Sequence, residues 1–138
     1  MIYWNRDLAA RLKCPEKEKQ QLPIFIKKLM VYVEKIHEIG VPATIPNVER
    51  PLFPYFYQGL SLIMDNLSTE AIEEIMAVYL SVSQESGFQF LKQCIETEVV
   101  LSLASGDTPE FTFRKIVPYA GIDQADWLIQ SAANKGTA

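Results

Sequence analysis

Histidine occurs once in this chain and cysteine twice, and those two shortages exclude much chemistry. Cys14 and Cys94 stand far apart with no C-x-x-C pair, so neither a metal-ligand spacing nor a disulfide framework is present. Both are expected as reduced thiols, Cys94 in the core and Cys14 near the surface. His37 beside Glu34 and Glu38 would offer one imidazole and two carboxylates on different faces of a helix, which is not a zinc set. Long apolar runs are missing too. The best, VVLSLA at 99–104, is far short of the ~18 residues that a spanning helix needs. A secretory leader is not expected, because Arg6, Asp7, Arg11 and Lys13 fall where its apolar region would be. The expectation is a cytoplasmic protein with no spanning segment. A basic excess is also lacking: net charge is −4 and the pI is about 5.0, which argues against nucleic acid as a partner. No phosphate-cradling glycine loop and no G-x-S-x-G elbow occurs, so neither a cofactor nor an enzymatic activity is expected. Glu73/Glu74 and Glu96/Glu98 read as carboxylates on solvated helix faces rather than as a catalytic pair.

What the chain does have is helical periodicity. Nearly half its residues are apolar, 22% are charged, and strand-like alternation is absent. The expected fold is all-α: a compact bundle of about five to six helices in one domain, 1–138, with a Pro-rich connector at 41–51 and a flexible tail at about 134–138. Trp4, Leu8 and Leu12 repeat at four-residue spacing, marking a short amphipathic helix over 3–13. Its apolar stripe would pack on the core or, flanked by Arg6, Arg11 and Lys13, anchor the chain to a partner or membrane surface. A long helix over 16–39 follows, with Pro23 in its first regular turn and Gly40 at its end. VPATIPNVERP holds three prolines in eleven residues and reads as an extended connector.

The stretch GLSLIMDNLSTEAIEEIM at 59–76 reads as a helix–turn–helix joint. Asp65-Asn66 closes one helix, Leu67 is expected to be buried, and Ser68 caps the next, with Glu70 near its positive end. Gly87 predicts a kink or break in the following helix. Thr108-Pro109 restarts the chain after Ser105-Gly106, and Pro118 and Gly121 stop that helix. Asp123 is expected to cap a last short helix that turns Trp127, Leu128 and Ser131 inward.

The lysines cluster early, at Lys13, Lys17, Lys19, Lys27, Lys28 and Lys35; the glutamates cluster in the middle, at Glu70, Glu73, Glu74, Glu85, Glu96 and Glu98. This pattern is either a set of solvated helix faces or a basic surface for an acidic partner. Phe53, Tyr55, Phe56 and Tyr57 either pack in the core or line a groove for a small ligand.

Three phrases resemble a known family. GLSLIMDNLSTEAIEEIM, through Gly59, Leu60, Asp65, Asn66, Glu70, Ile72 and Ile75, resembles the cytoplasmic region of MotA-type flagellar stator subunits, of the MotA/TolQ/ExbB superfamily. FIKKLMVYVEKIHEIG (25–40) resembles that family's helix ending in an arginine-rich phrase before a glycine, here Gly40. ETEVVLSLASGDTPEFTFRKIVPYAG (96–121) resembles its carboxy-terminal phrase through Gly106, Asp107, Pro109 and Ile116. The likeness runs in order over 25–121. The departures are as informative. The family has two membrane helices between its second and third phrases; here SVSQESGFQFLKQCI is too short and too polar to span, so no ion path carries over. Of the family's rotor-facing charges, the arginine position is His37 and the glutamate position is Ile45. Lys27, Lys28 and Lys35 remain as substitutes on the same helix.

The resemblance implies a bacterial, non-enzymatic protein–protein interaction module, with a flagellar rotor or stator component as its partner. Its contact surface would be Lys27, Lys28, Lys35 and His37. The expected state is monomer or dimer, because the ring contacts of stator-type relatives are made largely by membrane helices that are missing here. The alternative is a small-ligand-sensing or regulatory helical domain, with its groove at Phe53, Tyr55, Phe56 and Tyr57.

Overall fold

The computed structural model describes residues 6–136, with side chains through residue 133. The chain is all-helical, with no strand among the described residues. It breaks into more pieces than five or six. There are nine α-helical segments among the described residues, three of them six residues or shorter: α1 (Arg6–Arg11), α2 (Glu16–Lys19) and α4 (Val41–Thr44). The six longer ones are α3 (Leu22–Ile39), α5 (Pro54–Met64), α6 (Thr69–Val82), α7 (Phe88–Ala104), α8 (Pro109–Ile116) and α9 (Ile122–Gly136).

The expected punctuation accounts for most helix ends. Ser68 Oγ accepts from the Ala71 N–H at 3.1 Å and starts α6. Thr108 Oγ1 accepts from the Phe111 N–H at 3.1 Å and starts α8, with Pro109 in the first turn, where its missing N–H costs nothing. Asn66 takes a positive φ of 60° between α5 and α6, a conformation that asparagine tolerates better than most residues. Gly87 breaks the chain outright: α6 ends at Val82 and α7 begins at Phe88.

Several expectations need correction. The 41–51 connector is wound, not extended. Pro42 and Pro46 each occupy the first turn of a short element, α4 and a 3-10 turn Ile45–Asn47, so two of the three prolines coexist with helix, while Pro51 lies in a turn beyond them. Thr44 Oγ1 donates to the Gly40 carbonyl at 2.9 Å, and Thr44, Ile45 and Val48 are buried. The 16–39 helix divides into α2 and α3. Leu67, in the α5–α6 turn, is exposed rather than buried. α8 does stop before Pro118, at Ile116, but the chain stays wound as a 3-10 turn, Val117–Ala120, up to Gly121. Asp123 lies inside the first turn of α9, after Gly121 with its φ of 89°. The α9 backbone stays helical through Gly136, past the start of the expected tail; 137–138 and Trp4 lie outside the described residues.

The core is organised around α7. It packs against α3, α5, α6 and α8, and ten of its seventeen residues are buried. Gly59 explains the close approach of α5: a Cβ there would overlap the Val100 side chain of α7. Leu22, Ile26, Leu29 and Val33 form the buried stripe of α3, at the three-to-four spacing read from sequence.

Candidate docking surface

The four residues expected to form a contact surface lie on α3. Lys27, Lys28, Lys35 and His37 are all exposed. The helix divides them, however. At about 100° per residue, Lys28 and Lys35 share one line, Lys27 lies to one side, and His37 points about half a turn away. Lys27 is also engaged, with Nζ 5.1 Å from the centroid of the Trp127 ring on α9. Of the four, Lys28 and Lys35 form the outward pair.

Between them stand apolar residues that the sequence reading passed over. Ile24, Val31 and Ile39 are each more than half exposed on the same face. The signal was available in the periodicity: these positions fall between the core stripe residues, where a surface helix ordinarily carries polar groups. Beside this face a groove of about 480 Å³ runs between α3, α8 and α9, lined by Met30, Val31, Phe113 and Leu128, with Glu34 and Glu110 at its polar edge. Trp127 was expected to point inward but is 52% exposed. α9 docks through Ala125 and Leu128, and Trp127 falls one residue off that line.

The four aromatics at 53–57 do not converge. Phe53 and Phe56 are buried, and both pack against α3: Phe53 stacks on Phe25 at 5.4 Å, and Tyr32 meets Phe53 and Phe56 at 5.6 and 5.8 Å. Tyr55 turns to α6, where its hydroxyl donates to the Tyr79 carbonyl at 3.1 Å. Tyr57 lies under the Arg50 guanidinium. The two phenylalanines thus belong to the core, whereas Tyr55 and Tyr57 are half-buried and make separate contacts.

Two polar arrangements were invisible in sequence. Glu96, read as a solvated carboxylate, is 2% exposed. Its Oε1 accepts from the Tyr55 and Phe56 N–H groups, each at 3.1 Å, and so satisfies amide donors at the start of α5 from forty residues away. Burial pushes its pKa up to about 8, against the pull of those two amides and of Lys92. Nothing local in ETEVV distinguishes Glu96 from Glu98, which lies near the surface of a cleft and accepts from the Tyr119 hydroxyl at 3.3 Å.

The second arrangement is Ser102, Asp107, Thr112 and Lys115. Asp107 Oδ2 accepts from Ser102 Oγ and from Lys115 Nζ, both at 2.6 Å, and Ser102 Oγ lies 2.8 Å from Thr112 Oγ1. The hydrogen bonds from Lys115 and then Ser102 hold the Asp107 carboxyl below its ordinary range. Ser102 is buried and its hydroxyl is already partnered, so the group ties the α7–α8 turn rather than presenting a nucleophile. Burial pushes the Cys94 thiol up to about 12, which keeps it an unreactive core residue.

No three His, Cys, Asp or Glu side chains are placed to hold a metal among the described residues, and no helix there is long and apolar enough to cross a membrane. In comparisons with protein-family models, curated proteins and solved structures, no match to this chain was found.

Proposed function

We propose that this chain is a non-enzymatic protein–protein interaction module that docks its partner on the outer face of α3. The observation that carries this reading is the stripe of Ile24, Lys28, Val31 and Lys35. It places exposed apolar side chains between cations on one rigid helix, next to an apolar groove. Apolar groups left in water on a helix whose opposite side is fully packed mark a contact surface. The lysines select an acidic partner and speed its approach. The resemblance of 25–121 to the cytosolic part of MotA-type stator proteins supports a component of a flagellar motor as that partner, and a cytoplasmic setting. Lys28 and Lys35 would then stand in for the family's arginine.

Crosslinked capture from the native cells tests this reading. The intact chain is expected to retain rotor or stator components that K28E/K35E loses while keeping its helical circular dichroism. Equal capture by a folded K28E/K35E chain would remove α3 as the contact surface. Lys27 is left unchanged in that variant because its contact with Trp127 joins α3 to α9.

A further inference from the structure

A second uncovered stripe lies on α6. Glu70, Glu74, Val78 and Val82 recur every four residues and are all exposed, the two valines by more than half. The stripe is acidic where α6 begins and apolar where it ends. It complements the α3 stripe in three respects. The charges are opposite: two glutamates against Lys28 and Lys35. Each stripe carries two protruding aliphatic side chains, Val78 and Val82 against Ile24 and Val31. The lengths agree, since 24–35 and 70–82 each extend about 17 Å at the helical rise per residue. The ion pairs Lys19–Glu16 and Lys115–Asp107 lie elsewhere. α3 and α6 both pack on α7 without an extended contact between them, so the two stripes do not cover each other within one chain.

We propose that the α6 stripe of one copy docks on the α3 stripe of a second copy. This inference rests on α3 being a docking face and adds that one of its occupants is the chain itself. Because two different surfaces meet, the contact is head-to-tail. Each bound copy still presents one unused stripe, so the assembly grows until it closes as a ring or continues as a chain. Antiparallel alignment puts Lys35 beside Glu70 and Ile24 beside Val82; in the middle Val31 faces Glu74, and Lys28, about one turn further along, reaches that carboxylate only through its long side chain. The alignment also opposes the two helix dipoles favourably.

Sedimentation velocity of the full chain in low salt, over a range of concentrations, tests the proposal. The expected result is a mass above the 15.7 kDa monomer that rises with concentration and falls when salt is added. K28E/K35E and E70K/E74K should each weaken association by about tenfold or more, since each turns attraction into repulsion. An equimolar mixture of the two variants should recover association, because each then meets its opposite charge. All four positions are exposed, so the variants are expected to stay folded, and circular dichroism checks this. A wild-type monomer at every concentration overturns the proposal. So does association that E70K/E74K leaves unchanged, which would indicate an α3–α3 dimer. The reading of α3 fails separately: capture of another protein that is lost in K28E/K35E, beside a monomeric wild type, keeps the docking face and rejects self-association.

Discussion

The central helix α7 and the amino-terminal segment 6–19 hold their places in opposite ways. α7 is buried along most of its length and touches four other helices, so its position is over-determined by apolar packing. α1 and α2 bury no residue completely. They attach through the half-buried Leu8 and Leu12, which pack against the cluster of Leu80, Phe90 and Cys94, and through the polar contacts of Arg11. Its guanidinium lies 3.8 Å from the centroid of the Phe90 ring and donates to the carbonyls of Leu80 (3.3 Å), Ser83 (2.6 Å) and Glu85 (3.0 Å), while its own carbonyl accepts from the Gly87 N–H at 2.7 Å. One side chain thus satisfies carbonyls at the end of α6 and beyond it, across the break at Gly87. A contact of this kind is local and polar, whereas packing around α7 is collective. Damage to α7 should therefore spread through the fold, and damage at Arg11 should stay near the α6–α7 joint.

Gly59→Ala should give the largest effect. Alanine is the better helix former by about 1 kcal/mol, yet the added methyl group meets Val100 on α7. Overpacking should win, with a net loss of about 1–3 kcal/mol in denaturant unfolding; a gain in stability would mean that α5 and α7 separate easily. Glu96 comes next. Glu96→Ala leaves two buried amides at the start of α5 without an acceptor and should cost about 2 kcal/mol. Glu96→Gln keeps an acceptor oxygen and should cost less.

Glu96 also makes a prediction about pH. Its folded pKa of about 8 lies above the ordinary 4.5, so the folded state binds the proton more tightly than the unfolded state. Its contribution to stability is therefore complete below about 4.5 and declines as pH rises toward 8. Stability curves of the wild type and Glu96→Gln should differ in slope across that window and run parallel outside it. Parallel curves throughout would mean that the carboxylate titrates normally.

Arg11→Ala should give the smallest global change, about 1 kcal/mol. Amide exchange should rise in 6–19 and 80–87 while α7 stays protected. Equal loosening of α7 would erase the contrast between the two regions.

Legibility followed the range of the interaction. Ser68 and Thr108 cap helices through bonds to an amide three residues away, and both were readable because partner and signal share a short segment. The core stripe of α3 was readable for the same reason. The 41–51 stretch misled because prolines forbid helix interiors but not first turns, and only the positive φ at Gly40 and the burial of Thr44 and Ile45 select the wound form. Glu96 and Arg11 could not be read, since their partners lie about 40 and 70 residues away.

The candidate surface was half legible. The charge pattern points to Lys28 and Lys35, but nothing local beyond their place off the core stripe marks Ile24 and Val31 as exposed, and the helical period would turn Trp127 inward, because exposure of an apolar residue depends on which neighbour comes to cover it. By itself the sequence determined an all-α chain, most of its helix ends and the inward face of its long helices, all consequences of local hydrogen bonding and a 3.6-residue period. Only tertiary structure decided which carboxylate is buried, what secures the amino-terminal helices, and which apolar stripes remain in water, because each depends on the meeting of segments distant in the chain.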